Sequence, residues 1–70
     1  MKMVINNYWA NGTLRANQPV VFDESGWGSV KEMQSELKGR FPHNQPVLIP
    51  NGVRMLLRPG TADYQVITLE

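Results

Sequence analysis

The chain contains no cysteine, which excludes a disulfide framework and any thiolate metal ligand. It has a single histidine, His43. A tetrahedral zinc site would therefore have to recruit carboxylates, and none stands at ligand spacing. No apolar run approaches the roughly 20 residues needed to cross a bilayer. The amino-terminal Met1-Lys2-Met3-Val4-Ile5 turns polar at Asn6-Asn7 before a signal-peptide core can form. The cytoplasm is the expected location. Charge of one sign is also lacking, with seven Lys+Arg against six Asp+Glu and a net charge of +1. Nucleic-acid binders draw most of their affinity from phosphate contacts and carry a clear basic excess, so nucleic acid is not the expected partner. With only 70 residues, one domain is expected, and it buries only about 60% of the surface its unfolded form exposes.

What is present is a moderate supply of apolar residues in short, interrupted runs, 41% of the chain. Residues 3–9, Met-Val-Ile-Asn-Asn-Tyr-Trp, read as a first strand with Met3, Ile5 and Trp9 on one face. Asn11-Gly12 follows, a dipeptide that tolerates positive φ and marks a turn. Residues 13–18 are polar and read as a loop. Pro19 opens a second strand, Val20-Val21-Phe22.

Ser29-Val30-Lys31-Glu32 is a capping box, in which a hydroxyl and a carboxylate three residues apart satisfy orphan amides at a helix start. Behind it Val30, Met33 and Leu37 fall at i, i+3 and i+7, one helical stripe. Gly39 reads as the left-handed residue closing that helix, with Lys38 and Arg40 at the negative end of its dipole. Pro42, Pro46 and Pro50 then recur every four residues. Each removes a backbone donor, so Val47-Leu48-Ile49 reads as an ordered loop or edge segment. Asn51-Gly52 marks a second turn. Residues 53–58 alternate, with Val53, Met55 and Leu57 on one face and Arg54, Leu56 and Arg58 on the other. Pro59-Gly60 closes that run, and residues 64–69 form the last strand.

The order β-β-α-β-β implies an α+β roll with one helix on a small mixed sheet. A β-grasp (ubiquitin-like) fold is expected. In it a right-handed crossover sets the first and third strands parallel and paired.

Chemistry is sparse. His43 sits between Pro42 and Asn44 in a proline-rich loop and reads as a solvated surface residue. Asp23-Glu24 follows a strand, where solvated charge normally falls. Ser25 and Ser29 have no base at motif spacing. Gly26-Trp27-Gly28 lacks the Lys-Ser/Thr of a phosphate-binding loop and the G-x-G-x-x-G pattern, and reads as a tight turn with Trp27 over the helix start. No catalytic residue, cofactor, metal or small-molecule substrate is expected, and the protein is expected not to be an enzyme. Arg15, Lys38, Arg40, Arg54, Arg58 and Trp27 remain as candidates for binding a protein partner, Arg and aromatic residues being enriched at binding hot spots.

Several segments together resemble a doublecortin domain, itself a ubiquitin-like fold. Tyr8-Trp9-Ala10-Asn11-Gly12-Thr13 is similar to that family's Tyr-x-Asn-Gly-Asp turn. Val20-Val21-Phe22 resembles its short valine-rich strand, and Ser29 through Leu37 its helix. Ile49-Pro50-Asn51-Gly52-Val53-Arg54-Met55-Leu56-Leu57 with Gly60 is similar to its Leu-Pro-x-Gly-Val-Arg segment and following strand, the most specific part of the likeness. The resemblance spans residues 4–70. It implies docking on tubulin and microtubules or on a scaffold protein, and a cytoskeletal location. A second expectation, from the initiating Met and the short length, is a free-standing inhibitor of phage or plasmid type that blocks a larger host protein.

Overall fold

A computed structural model describes residues 1–15 and 18–70. It contains five strands, β1 (Met3–Tyr8), β2 (Val20–Phe22), β3 (Val47–Ile49), β4 (Gly52–Leu56) and β5 (Tyr64–Leu69), and one helix, α1 (Val30–Arg40). The strands form a single sheet in the order β2-β1-β5-β4-β3, in which every pair is antiparallel. The fold is α+β, one helix on one sheet.

Helix α1 starts where the capping box places it. The Ser29 hydroxyl accepts from the Glu32 N–H at 3.1 Å. The Glu32 carboxylate reaches back to the Gly28 N–H at 3.2 Å, one residue earlier than in the ideal box. Gly39 does not end the helix; it lies within it, and the cap is Phe41, whose N–H donates to the Leu37 carbonyl at 2.7 Å. Pro42 accounts for the difference, because its ring disfavours helical backbone at the preceding residue. A 3-10 turn, Pro42–Asn44, follows. Two side chains hold the proline-rich passage in place. Asn44 Nδ2 donates to the Leu56 carbonyl at 2.9 Å, and Gln34 Nε2 to the Pro46 carbonyl at 3.3 Å.

Val47-Leu48-Ile49 is an edge strand, so the order is ββαβββ rather than ββαββ. It forms a hairpin with β4, Ile49 opposite Gly52. Pro50 and Asn51 are the two central residues, and Asn51 has φ 64°. Proline followed by a residue of positive φ is the signature of a type II turn. The first loop also turns where expected. Gly12 has φ 89°, the Trp9 N–H donates to the Thr13 carbonyl at 2.8 Å, and Asn11 Oδ1 accepts from the Thr13 N–H at 3.0 Å. Residues 16 and 17 of the expected 13–18 loop lie outside the described residues.

The parallel pair does not form. Strands β1 and β4 do run in the same direction, but β5 inserts between them, antiparallel to both. The helix therefore carries the chain from one edge of the sheet, β2, to the opposite edge, β3.

The two sheet faces differ. Met3 and Ile5 stand opposite Leu69 and Ile67, and Val53 opposite Ile67, so these side chains share the face beneath α1. The core is Met33 and Leu37 from the helix with Val53, Met55, Ile67 and Leu69 from the sheet. Met3, Ile5, Trp27 and Val30 pack around it. The helix sits over β3 and β4 and leaves β2 open, where Val20, Val21 and Phe22 are all about half exposed.

Candidate binding faces

The second face of the sheet carries the alternate residues. By register these are Val21 (β2), Val4, Asn6 and Tyr8 (β1), Tyr64, Val66 and Thr68 (β5), Arg54 and Leu56 (β4), and Val47 and Ile49 (β3). Among the described residues no element covers them. All are half-buried or exposed, and the set is mainly apolar. Arg54 is its one charged member and no acid belongs to it.

A row of side chains crosses this face. Tyr8 and Tyr64, cross-strand neighbours, stack with centroids 5.1 Å apart and planes within 13°. The Arg54 guanidinium lies 3.9 Å from the Tyr64 ring centroid. Stacking of this kind holds an arginine in one orientation while leaving its edge donors free. Beside the row is a depression of about 180 Å³, lined by Gln45, Val47, Arg54, Met55, Leu56 and Tyr64.

The other candidates are dispersed. Arg54 and Arg58, expected on one face of a strand, line different hollows, because β4 ends at Leu56 and Arg58 enters the turn closed by Thr61 N–H to Arg58 carbonyl at 3.3 Å. Arg58 instead shares a shallow cleft of about 510 Å³ with Arg15, Asn7 and Leu57. Arg15 lies over Trp9, 4.4 Å from the ring. At the helix, Arg40 pairs with Glu36 at 2.8 Å, and Glu36 also accepts from the Trp27 indole N–H. Trp27 is half-buried and packs against the core. Lys38 is exposed on the helix. The five cations thus fall into three places and do not form one patch. Trp9 is 46% exposed and lies beyond the end of β1, so it does not join Met3 and Ile5 at the core.

Sequence reasoning missed the uncovered face. Its signal was there: Val4, Val66 and Leu56 alternate with the core residues, so both faces of the central strands are largely apolar, the pattern of strands covered on two sides. His43 is exposed in the 3-10 turn. Among the described residues no three His, Asp or Glu side chains converge, and no helix is long and apolar enough to cross a membrane. Comparison of the chain with protein-family models, with curated proteins and with solved structures finds no match.

Proposed function

We propose that this chain is a non-enzymatic protein-binding module that docks a protein partner on its uncovered sheet face. The observation that carries the reading is the Arg54–Tyr64–Tyr8 row set in an apolar surface. Arginine and tyrosine are hot-spot residue types, most effective when ringed by apolar contacts that exclude water. Charge selects the partner. A guanidinium with no acid on its own face favours a partner that places a carboxylate opposite it within an apolar surface.

Tubulin, whose surface is acidic, is one partner of that chemistry and the one the doublecortin-like segment suggests. A host protein blocked by a small inhibitor is the other. Both use the same face, and both readings place the chain in the cytoplasm.

The test is site-specific photo-crosslinking in the full chain. A benzophenone side chain at position 66 samples the open face, and one at Ser35, exposed on α1, serves as the control. One partner crosslinked from position 66 but not from 35, and lost on Arg54→Glu, supports the reading. Purified microtubules at low salt test tubulin directly, since screening is then least. Equal crosslinking from both positions, or none from position 66, refutes docking through this face. So does sedimentation showing that the chain covers the face with a second copy of itself.

A further inference from the structure

The sheet ends in two edge strands, β2 and β3, both apolar, and the direction of their backbone groups separates them. Lys2 and Glu70 exchange two backbone hydrogen bonds, at 3.0 and 2.8 Å. Along an antiparallel ladder, hydrogen-bonded pairs of this kind alternate with non-hydrogen-bonded ones. Counting along β1, Val4 and Asn6 therefore also bond to β5, while Met3 and Ile5 bond to Phe22 and Val20 of β2. The Asn7 carbonyl, next on that side of β1, accepts the Arg15 N–H at 2.9 Å and keeps the count. Val21 stands between Val20 and Phe22, so its N–H and C=O point outward from the sheet.

On β3, Ile49 and Gly52 flank a two-residue turn and form a hydrogen-bonded pair, as do Val47 and Arg54. Leu48 lies between and points its N–H and C=O outward. The outward positions on either side of it are Pro46 and Pro50, which have no N–H. The Pro46 carbonyl already accepts from Gln34 Nε2 at 3.3 Å. Proline guards a sheet edge in this way. Strand β2 has half of that guard. Pro19 precedes it, but Asp23 follows, and the Asp23 N–H donates to no acceptor among the described residues. Val20, Val21 and Phe22 are 50%, 46% and 47% exposed, and α1 lies at the far side over β3 and β4.

We infer that the outer edge of β2 pairs with the same edge of a second copy of this chain, antiparallel about a twofold axis at Val21. The two sheets then join into one. In that register Val21 and its counterpart exchange two hydrogen bonds. Asp23 falls opposite Pro19 of the other copy, so its N–H meets the carbonyl that the proline retains, once on each side of the axis. Val20 falls opposite Phe22, also twice, at the closer non-hydrogen-bonded spacing, where β-branched and aromatic side chains stabilise a sheet. No like charges meet, because Asp23 faces proline. The same operation on β3 sets Pro46 opposite Pro50 and yields only the two bonds of Leu48. Pairing β2 with β3 sets Pro19 opposite Pro50 and Asp23 opposite the engaged Pro46 carbonyl. The edge of β2 therefore complements itself better than it complements β3. A contact three residues long belongs with the small, transient interfaces, so the dimer forms with rising concentration. Arg54, on β4, takes no part, and the open sheet face stays uncovered.

The experiment is amide hydrogen exchange by NMR on the full chain across a wide range of protein concentration, with sedimentation over the same range. Exchange at the Val21 N–H is expected to slow in step with the sedimenting dimer, while the Leu48 N–H, equally outward, stays fast throughout. Val21→Pro removes the outward donor at an edge position where proline fits. Val21→Lys sets two ammonium groups opposite each other across the axis. Each should abolish the concentration dependence while keeping a cooperative melt. Arg54→Glu, which disables docking on the sheet face, should leave the dimer unchanged, so the two readings fail separately. Val21 exchange that is independent of concentration overturns the inference. So does protection of Leu48 in step with the dimer, or a dimer that survives both substitutions at position 21.

Discussion

Gly52→Ala is the substitution whose cost can be worked most directly. Gly52 begins β4 and is buried against β5. A Cβ built there would stand 2.2 Å from the Ile67 carbonyl oxygen, 3.0 Å from its carbon and 3.1 Å from the Thr68 Cα. All three are backbone atoms of the central strand, so no side-chain rotation relieves the contact. Carbon–oxygen contacts between strands settle near 3.3 Å, so β4 must move by about 1 Å. The movement falls beside the Leu69 N–H to Asn51 carbonyl bond, 3.1 Å long, and next to Val53, which is fully buried. Overpacking of this kind costs about 1–3 kcal/mol and sometimes more. A 70-residue domain has only about 4–10 kcal/mol in hand. At about 4–8 °C per kcal/mol for a domain of this size, the melting temperature should fall by about 4–24 °C. Gly39→Ala is the control. It changes the same atoms inside α1, where nothing lies within 4 Å of the new Cβ, and it should stabilise by about 0.5–1 kcal/mol. Circular dichroism melts of the two variants should move in opposite directions from the wild type. A Gly52→Ala protein that melts with the wild type would show that β4 and β5 do not approach as closely as described.

The remaining predictions concern the helix and the open sheet face. Leu37→Ala removes a core side chain that is 7% exposed and should cost about 2–5 kcal/mol in urea unfolding; an unchanged midpoint would mean that the helix stripe is not packed on the sheet. Ser29→Ala removes the cap and should cost about 1 kcal/mol, with Ser29→Asp restoring it in the same assay. Arg54→Glu, at an exposed position, should abolish partner crosslinking from position 66 while leaving the melting curve in place.

The parts of the fold that were legible in the sequence are those in which the deciding residues are close along the chain. Ser29 and Glu32 announce the helix because a cap acts over three residues. Val53 and Met55 announce a buried strand face because a pleat repeats every two. Asn11-Gly12 announces a turn because backbone conformation there is set by those residues themselves. Strand partners are another matter. Met3 pairs with Leu69, and nothing local to either residue specifies the other. The insertion of β5 between β1 and β4 was for that reason invisible, and with it the antiparallel character of the whole sheet. Val47-Leu48-Ile49 was obscured by the prolines around it, which fit an edge strand as well as a loop. The candidate sites follow the same rule. Arg15 and Arg58 line one cleft, a tertiary juxtaposition that the neighbours of neither residue specify. Arg54 and Arg58, two pleats apart on an ideal strand, separate because the strand stops between them.

Two of the six core residues are methionines, Met33 and Met55, at 0% and 4% exposure, whereas Met1 is 48% exposed. A thioether converts to a polar sulfoxide only where an oxidant can reach it. Dilute peroxide should therefore modify Met1 at once and the inner pair only when helix and sheet part. The ratio of the two rates is a built-in clock for how often this small protein breathes. Once struck, the inner sulfurs no longer suit an apolar interior, so each opening caught by oxidant acts as a ratchet away from the folded state.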